Sequence, residues 1–467
     1  MLLAVTAALV LSVGDATGAA LSRTEVTIPM DDGVGIASTL YRPNGAAPSG
    51  GWPAVVLVHG FGGNREQVNA LVTAYGFVER EYVVLTVDAR GHGGSGGLVG
   101  LGGPREVADL RAVHAWLAAR ADVADARIGA WGISYGGGAM MNSLVAGVPW
   151  GAVVTFEAWT DLFTALMPQG LAKSGVVTSL AASLPPERRD PSLAPVLAAA
   201  FAGKTALVKP WAAERSSLSK LGAVTAPVFM AQGRRDFLFG IEQATTAFRR
   251  LAGPKTLYLG LHGHAPSTFP AADTTLLLAH VKDWLDCHLQ ALACQEVPDG
   301  VYLMPERISG AIAYRATLPL VRVVQMGFPG VTTFAAKGKA ARRSAPLRTA
   351  IEAYGAPLVK VSIAASGGWS RLVAVLTAKP PGRRSEIVVA SGGVPTRNGL
   401  RKVTIKLASQ ATFIPKGSRL TLTLGSSSLA HSTVSPIYLD SPMSKKARVR
   451  IGNAALTLPG LRFPVTQ

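Results

Sequence analysis

The stretch GAWGISYGGG (129–138) places Ser134 in a Gly-x-Ser-x-Gly pattern, after an apolar run and before a helical stretch. A serine at a tight strand-to-helix turn adopts strained backbone angles, and Gly132 and Gly136 are needed because side chains there would collide across the turn. The turn would project the Ser134 hydroxyl above the sheet, close to a helix N-terminus that favours developing negative charge. The pattern predicts covalent catalysis by a serine nucleophile.

A hydroxyl is a poor nucleophile at neutral pH, and it needs an imidazole to take its proton and a carboxylate to orient that imidazole. Asp236 lies directly after the apolar run 226–233, where a carboxylate would sit in a loop at the sheet edge. Further along, LYLGLHGHAP (257–266) contains His262 and His264. We favour His264 as the base, because the strand should end just before His262 and His264 lies further out on the loop.

A tetrahedral intermediate also needs two amide donors for its oxyanion. The backbone N–H of Tyr135, directly after the nucleophile, is the first candidate. The second is the N–H of Phe61 in HGFGGN (59–64), where flanking glycines let the backbone approach a substrate. We interpret His59 as a structural residue that braces this loop.

Short, β-rich apolar runs alternate with helical patterns in the first 298 residues, which predicts a parallel sheet with right-handed crossovers. Two helices are predicted with most clarity, at 104–121 and 271–289. The strand-like runs lie at 52–60, 82–97, 127–132, 151–156, 226–233 and 255–261, after a hairpin at 24–43.

The alternation fails between 159 and 221, an Ala/Leu-rich segment that we interpret as short helices forming a lid. After residue 298, short alternating strands separated by Gly, Pro and Ser turns predict a β-sandwich. The expected division is therefore a catalytic domain at 21–298 and a sandwich at 299–467, with no internal repeat.

The first 20 residues contain an apolar stretch followed by small residues, which resembles a secretory signal without a basic start. We expect the protein to be secreted or displayed at the cell surface; the alternatives are a buried N-terminal helix and a wrongly assigned start. In an oxidising compartment Cys287 and Cys294 could form a disulfide, provided that the helix ends between them. No Cys-x-x-Cys pair supports a metal site, and no cofactor is expected.

The net charge of +18 is unevenly distributed. From residue 298 onward there are 24 Lys and Arg against 5 Asp and Glu, whereas the preceding part has 22 against 23. Such a field attracts anionic surfaces. We favour a solvated surface without a partner, and we expect no specific nucleic-acid binding because aromatic interleaving and recognition motifs are missing.

The chain resembles the Xaa-Pro dipeptidyl-peptidase-like serine hydrolases, which include cocaine esterase and α-amino acid ester hydrolases. GISYGG matches the family's nucleophile turn, DARGHGGSGG (88–97) its Asp-x-Arg-Gly-x-Gly-x-Ser loop, and LYLGLHGHA the stretch that ends in the catalytic histidine. The resemblance implies an α/β-hydrolase fold with a helical lid and a C-terminal jelly roll. It also places Ser134, Asp236 and His264 in the catalytic positions.

Two departures from the family pattern bear on the substrate. Many members use a tyrosine hydroxyl as an oxyanion donor at the position that Phe61 occupies here. The histidine loop also reads Leu261-His262 where members commonly have Pro-Trp. Both changes leave the reaction class intact and leave the substrate open.

Three functions remain open at this point. The first is hydrolysis of small esters or amides through an acyl-enzyme. The second is a dipeptidyl aminopeptidase acting on short peptides, with Glu157 or Asp161 holding the substrate ammonium; we prefer to interpret these two carboxylates as a helix cap or surface charge. The third is a basic surface-binding module with a vestigial catalytic domain, against which the intact catalytic set argues.

Overall fold

The computed structural model describes residues 22–264, 267, 269–292, 294, 298–306, 312–428 and 437–466. The predicted signal segment therefore lies outside the described residues. The described part falls into a mixed α/β region and an all-antiparallel β region, as the sequence predicts.

A ten-stranded sheet forms the first region, in the order β1-β2-β4-β3-β5-β6-β7-β8-β9-β10. The strands from β4 to β9 in this order are parallel, and the pairs β1-β2, β2-β4 and β9-β10 are antiparallel. The strands are β1 (Ser22–Pro29), β2 (Gly35–Arg42), β3 (Trp52–Val58), β4 (Val83–Val87), β5 (Val123–Ile133), β6 (Ala152–Phe156), β7 (Val228–Gly233), β8 (Lys255–Gly260), β9 (Gly300–Leu303) and β10 (Ala313–Arg315).

Helices cover both faces of this sheet, so its central strands are apolar along their whole length. Alternate residues of β3 show the division: Val56 packs towards one helical layer and Val55 towards the other. One layer contains α2 (Pro104–Ala118), α3 (Tyr135–Val145) and α8 (Glu242–Arg250), and the other contains α1 (Glu66–Ala74) and α9 (Ala271–Gln290).

A helical insertion separates β6 from β7, within the segment predicted to be a lid. It contains four short α-helices and intervening 3-10 turns. The helices are α4 (Leu162–Leu166), α5 (Ser174–Ala182), α6 (Leu193–Phe201) and α7 (Thr205–Ala213). Its inner residues pack on the start of α3, directly over the end of the sheet where parallel strands terminate.

The second region is a sandwich of two antiparallel sheets with one apolar core between them. The larger sheet contains β11 (Val321–Phe328), β12 (Thr332–Ala335), β14 (Ile351–Gly355), β15 (Leu358–Ser366), β18 (Gly399–Lys406), β19 (Gln410–Ile414) and β21 (Arg448–Leu461). The smaller sheet contains β13 (Lys339–Pro346), β16 (Arg371–Lys379), β17 (Ile387–Pro395) and β20 (Arg419–Gly425).

The predicted boundary after residue 298 is too early for the sheet topology. Both β9 and β10 follow that residue, yet they extend the first sheet, so the change to sandwich strands comes after Arg315. The alternating apolar pattern after residue 298 could not show this, because an edge strand of the first sheet has the same pattern as a strand of the sandwich.

The structure contains the disulfide Cys287–Cys294. It also satisfies the condition set by the sequence, because α9 ends at Gln290 and Ala291 turns the chain with a φ of 59°. Among the described residues, none of the helices combines the length and apolar character needed to cross a membrane.

Candidate active site

Ser134 occupies a sharp turn between β5 and α3, with φ 54° and ψ −111°. The turn is held by a hydrogen bond of 2.7 Å from the Ser134 N–H to the carbonyl of Phe156. A Cβ on Gly132 would lie 2.5 Å from the carbonyl carbon of Gly136, and one on Gly136 would lie 2.3 Å from the carbonyl oxygen of Val58. Glycine at both positions is therefore a steric requirement of the turn.

A continuous hydrogen-bonded path connects the three residues predicted as nucleophile, base and acid. Ser134 Oγ lies 2.9 Å from Nε2 of His264, and Nδ1 of His264 lies 2.7 Å from Oδ2 of Asp236. Asp236 is fully buried, and its other oxygen accepts from the N–H groups of Leu238 (2.9 Å) and Phe239 (3.0 Å). These amides hold the carboxylate in one orientation, so the imidazole is held as well.

The environment of His264 favours a proton acceptor. Burial is the largest single influence on its pKa and lowers it, but the charge and hydrogen bond of Asp236, with a contribution from Glu157, raise the pKa above its ordinary value. A carboxylate at Nδ1 fixes the tautomer in which Nε2 carries the lone pair facing the serine.

His262 lies on the same loop but faces a different set of residues. Its Nδ1 is 3.4 Å from Oδ2 of Asp273, the acidic residue in the first turn of α9, and its ring packs beside Tyr258 and Phe156. The structure thus separates the two histidines: His264 contacts Ser134, whereas His262 joins the end of β8 to α9.

Tyr135 and Phe61 lie next to each other, beside the turn that carries Ser134. Tyr135 is the first residue of α3, a position where the backbone N–H has no partner within the helix. Its hydroxyl donates a hydrogen bond of 2.6 Å to the carboxylate of Glu106. The rings of Phe61 and Tyr135 lie 5.8 Å apart, edge to face. A Cβ on Gly60 would be 3.7 Å from Cβ of Ser134, so the loop that carries the Phe61 N–H runs beside Ser134.

His59 braces this loop, as interpreted from the sequence. Its Nδ1 donates to the carbonyl of Gly60 over 2.7 Å, while Nε2 accepts from the N–H of Ala89 over 3.1 Å. Burial lowers the pKa of His59, which keeps the ring neutral and able to accept that amide proton. The loops after β3 and β4 are thereby joined.

The two carboxylates considered for a substrate ammonium have different environments. Asp161 is the cap of α4, because its Oδ1 accepts 3.0 Å from the N–H of Thr164, as we preferred. For Glu157 the preferred interpretation is wrong: it is neither a cap nor a surface charge but a fully buried residue, 3.7 Å from Nδ1 of His264. Sequence reasoning could not anticipate this, since the burial arises where β6 and the histidine loop converge.

The sandwich holds the loop that carries the acid. Arg234, two residues before Asp236, forms a fully buried ion pair with Glu352 of β14. Its carbonyl also accepts 2.7 Å from the N–H of Ala411 in β19. The sequence motif GRRDF contains this arginine, but only the docking of the two regions reveals its partner.

An apolar cluster that includes Tyr135 lies beside Ser134, on the side of the helical insertion. The aromatic rings of Trp159 and Phe239 lie 5.6 Å apart, and Phe239 meets His264 edge to face at 5.3 Å. The remaining apolar members of this cluster include Phe61, Val99, Leu162, Val176, Leu180 and Leu238.

Three donor atoms, from Glu157, Asp236 and His264, lie within 4.8 Å of one another and could in principle surround a metal ion. Both ring nitrogens of His264, however, already have hydrogen-bond partners in Asp236 and Ser134. We therefore assign this cluster to proton chemistry.

The sheet topology, the serine at its strand-to-helix turn and the adjacent imidazole define a hydrolase with the α/β-hydrolase fold. Sequence comparison matches residues 32–266 to the X-Pro dipeptidyl-peptidase (S15 family). The chain belongs to this family, as the resemblance of its motifs implied. No curated protein sequence matches the chain.

Solved structures support the same fold over nearly the whole chain. A CocE/NonD family hydrolase from Staphylococcus aureus is 14% identical with a TM-score of 0.74, covering 94% of each chain. An α-amino acid ester hydrolase is 15% identical with a TM-score of 0.65, covering 97% of this chain and 100% of the other. An aminopeptidase from a Thaumarchaeota archaeon of marine sediment is 14% identical with a TM-score of 0.63, covering 97% and 99%.

Proposed function

We propose that this protein hydrolyses small esters through an acyl-enzyme, with Ser134 as nucleophile, His264 as general base and Asp236 as the acid that orients it. The observation that carries the proposal is the pair of hydrogen bonds that meets at His264, 2.9 Å to the serine and 2.7 Å to the aspartate. This continuous path also argues against a vestigial catalytic domain.

In this mechanism His264 removes the Ser134 proton as the oxygen attacks the ester carbonyl, and then protonates the leaving alkoxide. The N–H groups of Tyr135 and Phe61 stabilise the oxyanion. A water molecule, deprotonated by the same imidazole, then attacks the acyl carbonyl, and the imidazole returns the proton to the departing Ser134 oxygen as the acid is released. Asp236 remains ionised throughout and stabilises the imidazolium.

An ester fits the surroundings better than a dipeptide with a free amino terminus. An ammonium needs an accessible carboxylate near the nucleophile, but Asp161 caps a helix and Glu157 lies on the Nδ1 side of His264, opposite the nitrogen that faces Ser134. The apolar cluster beside Ser134 instead suits an uncharged acyl group. Dipeptidyl peptidase activity remains the alternative.

Active-site labelling combined with two substrates tests the proposal. A fluorophosphonate probe should label the wild type and not Ser134→Ala, since the probe reacts with an activated serine. Short p-nitrophenyl esters should be cleaved at least about tenfold more efficiently than Gly-Pro-anilide. Wild-type protein that resists labelling would contradict the mechanism, and a preference for the anilide would favour the peptidase.

In place of the solvated surface without a partner that we favoured from the sequence alone, we also propose that the sandwich binds anionic polymer. The solvent face of its larger sheet carries the exposed side chains of Lys360, Lys402, Arg448 and Arg450 on three neighbouring strands, β15, β18 and β21. Along β15 and β21 these cations alternate with residues buried in the core. Within the described part of the chain, none of the four forms a salt bridge. We name these four residues the basic face.

Binding of the full-length protein to dextran sulfate tests the basic face. Changing its four cations to Gln should weaken binding at least about tenfold and flatten its dependence on salt, because these charges no longer neutralise the polymer. The control replaces four exposed cations of the first region, and it should leave binding nearly unchanged. Equal loss in both variants would indicate attraction by net charge alone. The control cations are Lys204, Lys220, Arg249 and Arg250.

We propose, finally, that the protein is exported. The Cys287–Cys294 disulfide supports this, because such bonds persist in oxidising compartments. The N-terminal residue of protein isolated from its native host should lie near position 21. Recovery of the protein with residues 1–20 attached, and with both cysteines present as free thiols that react with an alkylating reagent, would contradict export.

A further inference from the structure

Glu157 stands at the end of β6 with a φ of 49°, a conformation that non-glycine residues adopt infrequently. It is fully buried, and neither carboxylate oxygen has a hydrogen-bond partner among the described residues. A buried carboxylate without a partner is costly, so it is unusual for such a group to serve packing alone. Nothing in the mechanism described above uses it.

Its carboxylate faces the same nitrogen of the imidazole as the proposed acid. Oε2 of Glu157 is 3.7 Å from Nδ1 of His264, compared with 2.7 Å for Oδ2 of Asp236. Asp236 is restrained by two backbone amides, whereas the Glu157 carboxylate has no such restraint. Two acids thus converge on one base from two loops, one after β6 and one after β7.

The charged groups around Glu157 determine how it acts. Burial is the largest influence and holds the pKa of Glu157 above its ordinary value, although the nearby rings of His264 and His262 lower it and Asp236 raises it. Lys173 lowers the pKa of His264, whereas the two carboxylates raise it. Because the Glu157 carboxyl lies this close to the His264 ring, a change in that carboxyl alters the proton affinity of the ring.

We propose that Glu157 is a second positioning acid for His264, which shares with Asp236 the stabilisation of the protonated ring. It acts through His264, whose Nδ1 it approaches, and not on the atoms of the ester. The role rests on the proposed serine mechanism, and it predicts a sensitivity of the base that a residue needed only for packing would not produce.

The decisive measurement is the acid limb of kcat/KM against pH for a p-nitrophenyl ester. In Glu157→Gln the midpoint should move to lower pH by about half a unit or more, because a negative group beside the ring has been removed. Glu157→Asp, which keeps the charge further away, should give an intermediate midpoint. Asp161→Asn is the matched control: it removes one charge four residues along and should leave the midpoint in place.

A second measurement uses a background without the first acid. We choose Asp236→Ala rather than Asn, because an amide at that position would donate to Nδ1 and fix the wrong tautomer. If Glu157 supports the ring, adding Glu157→Ala to Asp236→Ala should lower kcat/KM at least about tenfold further, and alanine avoids an amide beside Nδ1 for the same reason. Melting temperatures of all variants show whether each is folded.

An unmoved midpoint in a folded Glu157→Gln protein, or equal activity of the single Asp236→Ala and the double variant, would overturn the proposal. Fluorophosphonate labelling of the wild type separates this failure from a wider one. If the wild type is labelled at Ser134 but the Glu157 variants show neither effect, only the role of Glu157 is refuted. If the wild type is not labelled, the serine mechanism itself is refuted.

Discussion

Two buried histidine–aspartate pairs share the loop after β8, and of these two only one contacts Ser134. His264 lies 2.7 Å from Asp236 and presents its other nitrogen to Ser134. His262 lies 3.4 Å from Asp273, and its Nε2 has no partner within the described residues. The residue types are identical, so the difference must come from the elements that supply the acids.

Asp236 follows β7 in a loop and directs its oxygens to two local amides and the ring. Asp273 belongs to the first turn of α9, where it accepts from the N–H of Leu261 (2.6 Å) and the hydroxyl of Tyr258 (2.7 Å). Asp236 therefore orients the ring that faces Ser134, whereas Asp273 fixes the backbone at the end of β8. The position of the acid in the fold decides what its histidine can do.

The largest contrast is expected between the histidines themselves. His264→Ala should lower kcat on a p-nitrophenyl ester at least about 10⁵-fold, because Ser134 loses its proposed base. His262→Ala should keep activity within about tenfold of wild type. It should instead lower the free energy of unfolding in urea by about 2 kcal/mol, since it empties a packed position. Similar kinetic losses in both variants would remove the distinction.

A smaller contrast is expected between the acids. Asp236→Asn should lower kcat by up to about 10⁴-fold, because the amide favours the unproductive tautomer. Asp273→Asn should mainly lower thermal stability, since it weakens the hydrogen bonds to Leu261 and Tyr258. Steady-state kinetics and melting curves on both proteins provide the comparison. A collapse of kcat in Asp273→Asn would show that the second pair also serves the reaction.

The smallest effect is a displacement along the pH axis. The base must be neutral to act, and the pKa of His264 is raised, so kcat/KM should fall with acidity at a midpoint above about 6.5. The stability contribution of this histidine has the opposite sense: it is fully present below about 6.5 and is lost as pH rises through the raised pKa. The difference in unfolding free energy between wild type and His264→Gln, measured from pH 5 to 9, checks this sign. A difference that grows with pH would contradict it.

Much of the fold could be predicted because its signals are local. The glycines around Ser134 reflect a turn that admits no side chain, and the uninterrupted apolar runs reflect strands covered on both faces. The helical insertion and the sandwich strands are likewise predicted by hydrophobic periodicity and by turn residues. The proximity of His264 to Ser134 followed from where strands end in a parallel sheet.

The remaining features depend on contacts between distant segments. The burial of Glu157 arises only when β6 and the histidine loop come together, so its sequence neighbourhood gives no sign of it. The same holds for β9 and β10, whose membership of the first sheet depends on an edge left open by β8. Local patterns indicate which helix or strand forms, but they do not indicate which other element it packs against.

The buried ion pair between Arg234 and Glu352 has a practical consequence for protein engineering. Cutting the chain before the sandwich would leave a guanidinium without its counter-ion two residues from the proposed acid, and a charge stranded in this way is strongly destabilising. The hydrolase region is therefore a poor candidate for minimisation or for grafting as an independent module. Heat that loosens the C-terminal region should abolish turnover in the same transition.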